Sequence, residues 1–87
     1  MKPSNTYVIF HEKKDEFLHA EKKVEGNNLL GWCAKPTSAK KYFSVREAED
    51  TASRIANNKG YHLIVCELHE SASQIGIEPV LNISPMA

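Results

Sequence analysis

Four histidines (His11, His19, His62 and His69) and two cysteines (Cys33 and Cys66) carry the donor atoms from which a zinc site or a thiol nucleophile could be built. Zinc ligands usually arrive in close pairs, and neither His11 nor His19 has a Cys or His at such a spacing, although the two could face one another across a hairpin. His69 follows Cys66 by three positions, which on a strand turns the two side chains to opposite faces. Cys33 follows Gly31 and Trp32 but has neither a helix N-terminus nor a cation placed to stabilise a thiolate. Both cysteines lie in apolar runs, where a free thiol packs as a small hydrophobe, and they are read as reduced core residues. The carboxylates fall into two sets, Glu12, Asp15 and Glu16, and Glu47, Glu49 and Asp50. Both sets sit among basic residues at wet positions, so their acidity should be ordinary. No phosphate-binding glycine loop or nucleophile elbow occurs. The chemistry legible in the residues therefore predicts no catalytic residue, no metal site and no cofactor.

One stretch remains. Lys35, Lys40 and Lys41, followed by Tyr42, Phe43 and Arg46, form a basic run leading into a helix start. The free N–H groups and positive dipole end of such a start favour anions, so an anion, nucleic-acid or partner contact is one reading. The plainer reading is a solvated loop that Tyr42 and Phe43 anchor to the core, and it is the one preferred.

The elements that must position these residues are clearer. Thr6 to His11 is β-branched and aromatic, a strand, and the four charges Glu12 to Asp15 make a turn. A second strand resumes at Glu16 and runs toward Val24, its Glu21-Lys22-Lys23 end leaving the core or lying at an edge. Glu25-Gly26-Asn27-Asn28 is a hairpin turn, and Leu29 to Ala34 a third strand that Pro36 breaks. Ser44 and Glu47 have the spacing of a capping box, and Val45, Ala48, Ala52, Ile55 and Ala56 form one apolar stripe. Arg46 with Asp50, and Asp50 with Arg54, are expected as ion pairs one helical turn apart, and Gly60 as the terminator. Tyr61 to Leu68 is apolar at consecutive positions, as in an interior strand packed against the helix. Glu70 to Gln74 reads as a loop or one helical turn. Residues 75–83 could add an edge strand around Val80 and Leu81, although Gly76 and Pro79 weaken the pattern. The expectation is an α+β fold: an antiparallel sheet of three to five strands, one helix on one face, order β-β-β-α-β(-β). The chain reads as a single domain, 1–87, with its core over about 6–69 and a loop and possible edge strand in 70–87.

Length and composition limit what such a domain does. Eighty-seven residues, 41% hydrophobic and 25% charged, make one ordinary globular unit. Eleven basic and eleven acidic side chains cancel, whereas a domain held to nucleic acid by phosphate neutralisation usually shows a basic excess. Near-zero net charge also leaves self-association easy, so a monomer or small homo-oligomer is expected. The amino terminus leads into a strand pattern rather than an apolar signal region, no stretch reaches membrane-spanning length, and a cytoplasmic location is expected.

The opening Tyr7-Val8-Ile9 and the segment Ala39-Lys40-Lys41-Tyr42-Phe43-Ser44-Val45-Arg46-Glu47-Ala48-Glu49-Asp50-Thr51-Ala52 leading into a helix resemble small phage and mobile-element accessory proteins. The resemblance covers Thr6 to Leu68 and includes anti-CRISPR proteins, stoichiometric inhibitors that block a surface of a host nuclease or defence complex. It implies a non-enzymatic protein-binding module, a phage-encoded inhibitor of a host or defence protein such as a CRISPR effector, and assigns no residue a role. The second reading is a nucleic-acid-binding module using the Lys35–Arg46 stretch.

Overall fold

The computed structural model describes residues 5–70 and 74–86. Five antiparallel strands and one helix follow in the order β1 (Thr6–His11), β2 (Glu16–Val24), β3 (Asn27–Cys33), α1 (Val45–Lys59), β4 (Leu63–Glu70) and β5 (Ile75–Ile83). The strands form one sheet ordered β3-β2-β1-β4-β5. The α+β architecture expected from the residues is the one observed, and the final strand is real. Gly76 and Pro79 fit because β5 lies at the sheet margin, where a missing N–H costs least. Of the loop expected over Glu70 to Gln74, Glu70 instead belongs to β4, where it pairs with Ile75, and Ser71–Ser73 lie outside the described residues.

The β2–β3 turn is tighter than its four-residue signal suggested. Glu25 (φ 51°) and Gly26 (φ 83°) supply both left-handed residues, and Asn27 and Asn28 already belong to β3. The β4 strand starts two residues later than expected, because Tyr61 and His62 carry the chain from the helix end back to the sheet.

The helix begins and ends where its sequence predicts. Ser44 Oγ accepts the Glu47 N–H at 3.1 Å, satisfying one of the donors that a first turn leaves free. Gly60 ends it at φ 72°, donating its N–H to the Ala56 carbonyl. Ala48, Ala52, Ile55 and Ala56 are buried against Tyr7, Ile9, Leu18, Leu63, Val65 and Ile83, with Val45 packed alongside. Three alanines on this face let the helix lie close to the sheet. The salt pairs expected along the helix are replaced by a longer-range one: Arg54 binds both carboxylate oxygens of Glu21 on β2. A planar fork meeting a carboxylate side-on is the stronger arrangement, and it draws the guanidinium away from Asp50.

The opposite face of the sheet is also apolar. Val8, Phe17, Cys66 and Leu68 are buried there with Ala39, and Phe10, Cys33 and Ile64 border them. Strands β1 and β4, central in the sheet, thus present apolar side chains on both sides.

One feature departs from a plain meander. β1 and β2 pair only at Phe10–Phe17 and His11–Glu16, then diverge. The segment 39–42 fills the gap: Lys40 donates its N–H to the Leu18 carbonyl, and Tyr42 exchanges two backbone hydrogen bonds with Tyr7 at 2.8 and 2.9 Å. Ala39 packs in the far cluster and Tyr42 in the helix-side cluster. The chain therefore passes between β1 and β2 on its way to α1. Beyond the gap, β2 and β3 continue as an arm carrying exposed Lys22, Lys23 and Val24.

Candidate functional site

The basic run is largely committed to the fold. Lys41 Nζ donates to the Thr37 and Ala39 carbonyls at 2.7 and 3.3 Å, holding the short 3-10 turn Pro36–Ser38 against the crossing segment. Tyr42 is buried, and burial raises its phenol pKa above the ordinary value, while the Thr51 hydroxyl works in the opposite direction. Lys40 stands over the Tyr42 ring at 5.6 Å, a cation–π contact. Lys35, just before the 3-10 turn, and Arg46, in the first turn of α1, are both exposed. The expectation that Phe43 anchors this loop is corrected: its side chain is 68% exposed, because the backbone pairing of Tyr42 turns its neighbour outward.

The histidines and cysteines are dispersed. His19 Nδ1 lies 2.8 Å from the Ser38 carbonyl, which it can only donate to. Cys66 is buried, and desolvation pushes its thiol up to about 11, far from a reactive thiolate. Cys33 donates to the Lys35 carbonyl. Both cysteines are free.

His11 is the one buried polar residue among those described, only 4% exposed. Its ring packs on Trp32 and Tyr61 at centroid separations of 5.0 and 4.5 Å. Nδ1 accepts the Lys14 N–H at 3.4 Å, so Nε2 carries the proton of the neutral ring, and that atom has no hydrogen-bonding partner. Burial lowers its pKa below the ordinary value, and the Lys14 charge adds to this. His11 borders a cleft of about 730 Å³ between the 12–14 turn and the helix end, with Lys59, Tyr61 and His62 opposite. Among the described residues, no Ser, Thr or Cys lines it.

The margins of the sheet differ from one another. At the β3 margin, Leu29 is exposed but stands opposite Lys22, and Asn28 opposite Lys23, charges that discourage pairing with another strand. At the β5 margin, Ile75, Ile77 and Val80 are 56%, 39% and 44% exposed. Pro79 and a bulge at Val80, which has no partner between Val65–Leu81 and Cys66–Pro79, blunt the upper half of this strand. The stretch Ile75–Glu78 is in regular register with Glu67–Glu70 and keeps an outer row of backbone groups unpaired by any described strand. Ile75 and Ile77 share one face of it.

The other face of the same stretch gathers charge. Glu67 and Glu78 are directly opposed cross-strand partners, and His69 stands one step along the same face. His69 Nε2 lies 3.4 Å from Glu67 Oε1 and 3.5 Å from Glu78 Oε1. Sequence reasoning passed over this group because it searched for Cys and His pairs. Its third member comes from β5, the strand least legible in the residues.

No family model matches the chain, and no match was found among curated proteins or solved structures. Among the described residues, no helix is long and apolar enough to cross a membrane.

Proposed function

We propose that this domain is a non-enzymatic protein-binding module, and that it binds through the β5 margin. The observation that carries the reading is the Ile75–Glu78 stretch, where exposed branched aliphatic side chains border an unpaired strand edge. A partner strand added there gains main-chain hydrogen bonds, while Ile75 and Ile77 offer apolar contact on alternate positions. Balanced charge, eleven of each sign, suits recognition by shape and backbone rather than by phosphate attraction. Resemblance to phage accessory proteins directs the search for the partner toward host nucleases and defence complexes, CRISPR effectors included, which such a module would inhibit by occupying a surface. The nucleic-acid reading loses support from the commitment of Lys41 and Tyr42 to internal contacts.

The test is site-specific photo-crosslinking in host lysate, with the reactive group at Ile77 and, in a second preparation, at Lys22 on the arm. The expected result is one discrete adduct from position 77 that Ile75→Lys abolishes, with the circular dichroism of the variant unchanged. Equal labelling from both positions, or none from position 77, overturns the proposal.

A further inference from the structure

The Glu67–His69–Glu78 group has an electrostatic problem that a cation solves. Like charges on directly opposed strand residues destabilise a sheet, and Glu67 is further disadvantaged because its side chain is only 19% exposed. The donor atoms nevertheless converge, all lying within 4.8 Å of one another. The His69 contacts at 3.4 and 3.5 Å are longer than the 2.7–3.2 Å of ordinary N–H···O bonds. They match the roughly 3.4 Å that separates two donors sharing a tetrahedral ion with bonds of about 2.1 Å.

We infer that these three side chains form a divalent transition-metal site of the Zn²⁺ class. The imidazole nitrogen selects against Mg²⁺ and Ca²⁺, which take oxygen donors, and two carboxylates neutralise a dication. Strand geometry fixes the placement: Glu67 and His69 alternate onto one face of β4, and register puts Glu78 beside them from β5. With three protein donors, a tetrahedral ion keeps one position for water or an outside ligand. The ion would staple β5 to β4 along the face opposite Ile75 and Ile77. The inference does not depend on the protein-binding proposal, because it needs no partner to be tested.

The experiment uses the full chain, freed of metal with a chelator and titrated with ZnCl2. Binding is followed by calorimetry and thermal unfolding, and CoCl2 reports coordination through its visible absorption. The expected result is saturation at one ion per chain, a raised melting temperature that chelator reverses, and a tetrahedral cobalt spectrum. His69→Ala and Glu78→Gln, both at exposed positions, should weaken zinc at least about tenfold while remaining folded. His62→Ala, distant in the cleft, should bind as the parent does. In metal-free buffer Glu78→Gln should melt higher than the parent, because it removes the repulsion with Glu67. No saturable binding, or affinity unchanged in His69→Ala and Glu78→Gln, overturns the site and leaves an ordinary histidine–glutamate ion pair.

Discussion

At the scale of single residues, His11 and Glu21 tie stability to pH below neutrality, and they act in different windows. His11 is held neutral, first by burial and then by the charge of Lys14, so the unfolded chain takes up its proton before the folded one does. Stability should therefore fall as pH drops through the ordinary histidine value of about 6.5, levelling off below the lowered folded value. Glu21 acts further into acid. The hydrogen bond from Arg54 depresses its carboxyl, so its contribution is present above the ordinary glutamate range and is lost as pH falls through the depressed folded value. Urea titrations at pH 7.5 and 5.5 should give a lower midpoint at pH 5.5, and His11→Phe should remove most of that difference by keeping the ring contacts with Trp32 and Tyr61. An equal loss of midpoint in His11→Phe would place the effect elsewhere.

At the scale of elements, α1 shows how cap, stripe and terminator combine. Ser44→Ala leaves the Glu47 N–H without its acceptor and should cost about 1 kcal/mol in denaturant unfolding. Ala52→Leu forces a larger side chain into the fully buried helix–sheet contact and should cost about 1–3 kcal/mol. If Ala52→Leu proved neutral, the close approach of helix and sheet would not be limited by the alanine stripe. This element was readable because local rules decide it: Ser44, Glu47, the apolar spacing and Gly60 all act within a few residues. Strand β5 was only half readable because its apolar residues are exposed and interrupted by Gly76 and Pro79, so tertiary pairing with β4 determines it. The Glu67–His69–Glu78 group was illegible for the same reason, since Glu78 joins the other two only once the β4–β5 register is set. Arg54 was misassigned because Glu21, distant in the chain, offers a better geometry than Asp50 one helical turn away.

At the scale of the whole molecule, the fold divides into a two-faced sheet with its helix and an arm, β2–β3, that runs beyond them. Glu21 and Arg54 form the tie between arm and helix, exposed on the arginine side, so it steers the arm more than it stabilises the fold. The passage of residues 39–42 between β1 and β2 has a kinetic consequence. The β2–β3 arm can close locally around Glu25 and Gly26, but the seam beside Tyr7 is completed only by Tyr42, far along the chain, and loop closure must precede that contact. The seam should thus form after the rate-limiting step of folding. In stopped-flow measurements Tyr42→Leu should speed unfolding and leave refolding nearly unchanged, whereas slowed refolding would make the crossing segment part of the nucleus.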